Sequence, residues 1–255
     1  MRIRILGCSG GIGLGLRTTS ILLDSDTLID CGTGVGDLPL AELRDIKRVF
    51  LTHSHLDHVA CLPLILDSTF DERVSNPLEV FALPETIKAL RDHMFNDILW
   101  PDFERLPSAE NPVFKFTPIA AGEVITIDER RIRAINVFHT VPSLGFCFEH
   151  DDNVFAFSGD TMTNQDLWPI LNNYEELGAL VVEVSFPNSQ SELAQTAGHY
   201  CPQTLAKDLE KLRHEPQIWV TAMKPGMQEQ IFEEVLQAIP GRKINRLKRG
   251  DVFEI

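Results

Sequence analysis

The chain reads as an α/β protein of 255 residues. Short apolar runs bounded by Gly and Pro turns recur along it, and stretches with helical spacing fall between them. An apolar content of 44% over this length suffices for one large core. The 16 Gly and 15 Pro are scattered rather than gathered into a linker, so one domain over residues 1–255 is expected.

The elements follow in order. Met1-Arg2-Ile3-Arg4-Ile5-Leu6 alternates with the period of a strand, and further strands are expected over 20–23, 27–30 and 48–51, before a helix over 60–67. A short strand over 79–82 leads to a helix over 84–96, where Pro84 suits the first turn. Residues 97–112 are irregular and carry Trp100-Pro101-Asp102-Phe103, a segment placed beside the mouth of a site. Strands are then expected over 113–116, 124–127, 132–138, 145–148, 154–158, 179–184 and 218–221, with helices over 165–171, 202–212 and 228–239. Glu149-His150-Asp151-Asp152 reads as a hairpin turn, and the pattern allows two similar half-sheets.

Composition limits the setting. The N-terminus lacks the apolar core of a signal peptide and no run approaches the length of a membrane span, so a cytoplasmic protein is expected. Cys8, Cys31, Cys61, Cys147 and Cys201 are odd in number and form no Cys-X-X-Cys pair, which argues against a disulfide framework and a thiolate zinc cage. With 23 Lys and Arg against 37 Asp and Glu the net charge is −14, which repels bulk nucleic acid but admits a small anion drawn in by dications. The one concentrated basic stretch, residues 242–249, reads as a solvated edge strand.

Chemistry concentrates in Thr52-His53-Ser54-His55-Leu56-Asp57-His58, directly after the apolar Val49-Phe50-Leu51. His53 and His55 alternate, so on an extended segment both rings point the same way, while Asp57 and His58 lie one turn on and can face a second ion. So many ligands in so short a stretch cost local stability unless a divalent cation compensates them. His139 and Asp160 fall at expected strand ends, where an α/β scaffold presents its chemistry. Taken alone, each has an ordinary reading as a loop or turn residue.

Together these motifs resemble the metallo-β-lactamase superfamily over almost the whole chain. Leu6-Gly7-Cys8-Ser9-Gly10-Gly11 resembles the opening strand and turn of that family, Leu28-Ile29-Asp30-Cys31-Gly32 its second segment and His53-Ser54-His55-Leu56-Asp57-His58 its signature, with His139 and Asp160 following in order. The resemblance implies a four-layer αββα sandwich holding two divalent metal ions. It implies His53, His55, His139 and Asp160 on the first, and Asp57, His58 and Asp160 on the second. Zinc is the favoured metal, and manganese or iron suit the same donors.

The branch is narrowed by Val182-Glu183-Val184-Ser185-Phe186-Pro187 and Gly198-His199-Tyr200-Cys201-Pro202, which resemble motifs shared by class II cyclic-nucleotide phosphodiesterases and tRNase Z. In those families the His is thought to protonate the leaving oxygen while the Glu orients it. Residues 93–103 look like the cyclic-nucleotide branch, and the tRNA-gripping arm has no evident counterpart. Implied, then, is hydrolysis of a small anionic 3′,5′-cyclic nucleotide by a metal-activated hydroxide, with Asp57, His199 and Glu183 as catalytic residues. Both families place a further metal-two histidine where this chain has Ala222, in Thr221-Ala222-Met223-Lys224-Pro225-Gly226. A methyl group cannot coordinate, so a weakened second site and impaired turnover are expected, with His199 one candidate for the vacant place.

A tRNase Z-like endonuclease and a metal-binding sensor module remain alternatives, and a homodimer is compatible with the sequence. Phe103 and Trp100 are expected to pack, with purine stacking the lesser alternative. His93 either packs or enters the pocket, and His150 and His214 are expected to face solvent.

Overall fold

The computed structural model describes residues 1–150 and 153–255. Of the turn expected over 149–152, Glu149 and His150 instead extend the strand Ser143–His150, and Asp151 and Asp152 lie outside the described residues. The first half runs β1 (Arg2–Gly7), β2 (Ser20–Leu23), β3 (Thr27–Ile29), α1 (Leu40–Asp45), β4 (Arg48–Phe50), α2 (Leu56–Val59), α3 (Leu62–Ser68), α4 (Phe70–Ser75), β5 (Leu78–Ala82), α5 (Pro84–His93), β6 (Pro107–Ser108), β7 (Asn111–Pro112) and β8 (Phe114–Pro118). The second runs β9 (Val124–Ile127), β10 (Arg130–Val137), β11 (Ser143–His150), β12 (Asn153–Phe157), α6 (Leu167–Leu171), β13 (Ala179–Glu183), α7 (Ser191–Thr196), α8 (Pro202–Leu209), β14 (Gln217–Thr221), α9 (Gln228–Ala238), β15 (Ile244–Arg246) and β16 (Val252–Glu254).

Among the described residues these strands build two seven-stranded sheets, in the orders β16-β1-β2-β3-β4-β5-β8 and β15-β14-β13-β12-β11-β10-β9, and a separate two-stranded pair, β6-β7. Each is mixed. The strands β3, β4, β5 and β8 run parallel, as do β12, β13, β14 and β15, while β1, β2 and the hairpins β9 to β12 pair antiparallel. Strand β16 returns to pair with β1, Arg2 facing Glu254, and so joins the end of the chain to the first sheet.

The period of two within the strands sets the layers. Ile3, Ile5, Ile21 and Leu23 of the first sheet meet Phe146, Phe148, Phe155 and Phe157 of the second in a shared core. The residue between Ile21 and Leu23, Leu22, turns outward to a core completed by Leu62, Ile65 and Leu66 of α3 and Leu90 of α5. Likewise Val181 faces inward, while Leu180 and Val182 meet Trp168 of α6, Leu205 of α8 and Val235 of α9. Strands buried on both faces read as continuous apolar runs, as observed in β13. The result is an αββα sandwich.

Several expectations shift at element ends. Helix α5 stops at His93 rather than 96, because Met94 and Phe95 turn into the core and the Asn96 side chain accepts the N–H groups of Ile98 and Leu99. Helices α1, α4 and α7 were not anticipated; at six residues each they are too short for a 3.6-residue period to emerge. The basic stretch 242–249 does contain an edge strand, β15.

Candidate metal centre

The cluster is assembled from strand ends. Val49 and Phe50 bury β4, and the chain leaving it is anchored by Asp30, which follows β3 in the left-handed region at φ 57°. The wholly buried Asp30 carboxylate accepts from the Thr52 N–H at 2.8 Å and the Thr52 hydroxyl at 2.9 Å, and pairs with His58 Nδ1 at 2.7 Å. Helix α2 carries Asp57 and His58, and its carbonyl from His58 accepts the Cys31 N–H at 2.7 Å. The signature loop is thus tied to the preceding segment on both sides.

His53 is fully buried. Its Nδ1 contacts the Thr52 hydroxyl at 2.9 Å, while its Nε2 is buried without a hydrogen-bond partner among the described residues. Burial pulls its pKa well below the usual imidazole range, so the ring is neutral with an unused nitrogen, the state a cation requires. His55 Nδ1 lies 3.0 Å from His139 Nε2. Burial lowers both of these pKa values, that of His139 to about 4. Because His139 Nδ1 donates to the Gly198 carbonyl at 2.8 Å, its Nε2 is left as the coordinating nitrogen.

Asp160 completes the set. It follows β12 through Gly159, whose φ of 61° and 2.4 Å approach of a notional Cβ to the Leu144 carbonyl explain why only glycine suits this turn. Asp160 Oδ2 sits 3.2 Å from His58 Nε2. Burial opposes its charge, yet His58 holds the carboxyl well below the ordinary range; burial likewise opposes charge on His58, and Asp160 and Asp30 outweigh it from two sides. Donor atoms lie within 4.8 Å of one another in three overlapping groups: His53, His55 and His139; His53, His58 and Asp160; and His139, Asp160 and His199. Asp57 stands at the edge, more exposed, with Oδ2 3.9 Å from His58 Nε2.

Glu183 ends β13 with its side chain fully buried and holds His199 Nδ1 at 2.8 Å. Its carboxylate also accepts from the Thr161 N–H at 3.0 Å and the Ser185 hydroxyl at 3.1 Å. Burial raises the Glu183 pKa; for His199 burial acts downward, but Glu183 reverses the sign and raises it. His199 Nδ1 is 4.0 Å from Asp160. The ring borders a cavity of about 460 Å³ that includes Met162, Thr163 and Gln195.

Ala222 follows β14 with φ 60° and is almost completely buried. Its carbonyl accepts from the Ser185 hydroxyl at 3.0 Å, which links it to Glu183. A non-glycine residue in this region is strained, and here the side chain is only a methyl.

Sequence reasoning did not assign Asp30, Thr52, Ser185 or the Gly198 carbonyl to the site. Asp30 had a signal, a carboxylate ending an apolar strand, but nothing local names His58 as its partner. Phe103 is buried against Phe70 and Phe95, so it packs rather than meeting a ligand, and Trp100 leans on the same core. His93 is exposed. His214 is half-buried rather than solvent-facing, because Arg242 donates to its carbonyl at 2.7 Å and holds that loop in.

The family model described as the beta-lactamase superfamily domain matches residues 26–221, which include every member of this cluster. The chain belongs to the beta-lactamase superfamily. Among superfamily relatives, a probable 3′,5′-cyclic-nucleotide phosphodiesterase of Yersinia pestis is 28% identical over 184 residues, covering 66% of this chain and 52% of that protein. The chain therefore spans about half the length of this relative. A ribonuclease Z of Treponema denticola is 30% identical over 168 residues, covering 60% of this chain and 50% of that protein. The crystal structure of unliganded yeast PDE1 superposes with a TM-score of 0.81 at 20% identity, covering 100% of this chain and 99% of the other, which establishes the shared superfamily fold. No helix among the described residues is long and apolar enough to cross a membrane.

Proposed function

We propose that this chain is a metal-dependent phosphodiesterase acting on small 3′,5′-cyclic nucleotides. In this reading His53, His55, His139 and Asp160 hold one cation, and Asp57, His58 and Asp160 hold a second, zinc being the metal best suited to the donors. The observation that carries it is the Glu183–His199 pair at 2.8 Å beside the histidine and aspartate cluster.

When bound, the cations supply Lewis-acid charge that activates water and offsets the phosphate oxygens. The chain does the rest. Glu183 engages Nδ1 of His199 and leaves Nε2 to give a proton to the departing sugar oxygen. Glu183 outweighs burial and raises the His199 pKa above its ordinary value, which favours the protonated ring. Asp57, partly exposed at the edge, orients the attacking water in this reading. Asp30 fixes His58, and the Gly198 carbonyl fixes His139, so both rings keep their tautomers without substrate.

The phosphodiesterase relatives and the net charge of −14 support a small substrate over a polynucleotide. Ala222 removes one donor from the second cation, which lowers affinity there and with it turnover. The test is elemental analysis combined with cyclic AMP and cyclic GMP hydrolysis, on this chain and on Ala222→His. Activity rising together with a second metal equivalent in the substituted chain supports the reading. The ribonuclease Z relatives favour a second reading, RNA cleavage. RNA cut without any cyclic-nucleotide turnover would replace the first reading with the second, and ligand binding without turnover in fully metallated protein would point to a sensor.

A further inference from the structure

A second concave site lies outside the histidine cluster. It is a cavity of about 340 Å³ where the loop after β1 meets the link between β15 and β16. Arg17, Arg246, Lys248 and Arg249 all line it, in a chain whose net charge is −14. Their charges are only partly offset. Arg17 and Arg249 share the single carboxylate of Asp37, at 2.8 and 2.9 Å, and Arg246 pairs with the exposed Glu229. The Lys248 ammonium has no carboxylate partner among the described residues, since Asp251 accepts its backbone N–H instead, at 2.8 Å. The Asp251 carboxylate held by that N–H adds a third negative charge beside Cys8 on the same wall, so four cations face three carboxylates, a surplus of one positive charge.

Ser9 supplies an independent sign of a ligand. It lines the same cavity, is only 8% exposed, and its hydroxyl is buried without a hydrogen-bond partner among the described residues. An orphaned buried hydroxyl costs about 1–3 kcal/mol, which an acceptor oxygen bound in the cavity recovers when the Ser9 side chain rotates toward it. The remaining wall is apolar, from Leu16, Met223 and Leu247, and helix α9 begins at Gln228 on the rim without a side-chain cap. Three guanidinium groups and an ammonium offer the charge-assisted donors that a phosphate head group takes, and the apolar wall matches an organic body.

We propose that this cavity binds a small organic phosphate monoester, at a site separate from the histidine cluster. The assignment does not depend on the reaction carried out there. The test is calorimetric titration of the full chain with adenosine 5′-monophosphate and with inorganic phosphate, before and after chelation of metal, with circular dichroism confirming that the treated protein is folded. One chelator-resistant site for the nucleotide is expected, with inorganic phosphate weaker because it lacks the organic body. Lys248→Glu, at an exposed position where folding is not at risk, should weaken that site about tenfold or more, and Ser9→Ala by a factor of about three to ten. Both variants should keep the wild-type metal content. Absence of chelator-resistant binding, equal affinity for phosphate and nucleotide, or an affinity unmoved by both substitutions would overturn the assignment.

Discussion

Replacing His199 by Ala removes one imidazole from the cluster and, in the proposed role, the proton donor. Turnover of cyclic AMP should fall by about 10²–10⁴-fold with metal content unchanged, read by steady-state kinetics beside elemental analysis. Parallel loss of both would make His199 a ligand instead. Glu183→Gln tests the pair from the other side. Burial lowers the His199 pKa and Glu183 raises it above its ordinary value, so removing the carboxylate charge lowers it again. The alkaline limb of the pH–rate profile should then move to lower pH, whereas a merely structural Glu183 would leave the limb in place. At this scale the sequence was most informative where residues are adjacent: His53, His55, Asp57 and His58 fall within one short stretch running from the end of β4 into α2. Asp30 was opaque because its partner His58 is 28 positions away and the hydrogen bond exists only after β3 and β4 pair.

Turns at strand ends decide whether those side chains meet. Gly159→Ala would force a Cβ against the Leu144 carbonyl at a backbone angle suited to glycine, shifting the turn that presents Asp160. The expected cost is about 1–3 kcal/mol of stability together with weaker metal binding, checked by denaturant titration and metal competition. Wild-type metal affinity in that variant would show that the turn is not what positions the carboxylate. The element pattern was legible where a strand carries a clear signal, alternation in β10 and a continuous apolar run in β13, and illegible in α1, α4 and α7, whose few residues pack as tertiary context dictates. Helix α8 illustrates a partner no local reading supplies: Arg242 donates to the carbonyls of Leu209, its last residue, and Leu212, beyond its end, at 3.1 and 2.7 Å. A cation suits that helix terminus, but it arrives from a different part of the chain.

Across the molecule, the two sheets are held by an apolar interface and by an ionic clasp at one end. Arg130 of β10, nearly buried, reaches Asp26 at 2.8 Å and Asp24 at 3.3 Å in the first sheet's hairpin. Burial would raise the Asp26 carboxyl, but hydrogen bonding to Arg130 outweighs it and holds the pKa below the usual value. A depressed native pKa means that the clasp contributes fully above about pH 4 and loses its contribution as pH falls through the native value. Asp26→Asn should therefore cost about 1–2 kcal/mol at neutral pH, partial exposure screening the rest, and should flatten the acid limb of a stability-against-pH curve. An unchanged acid limb would assign it to other carboxylates. The layered architecture was legible from the alternation of strands and helices, yet the clasp was not, because it joins segments 104 residues apart. The account rests on imidazoles and a carboxylate from β4, β10 and β12 converging to hold a dication. Equilibrium dialysis against zinc, with elemental analysis of wild type and His53→Ala, tests this most directly. At least one tightly held equivalent in wild type, lost in His53→Ala while the fold persists, is predicted; zinc content near zero in wild type, or equal in both proteins, would contradict it.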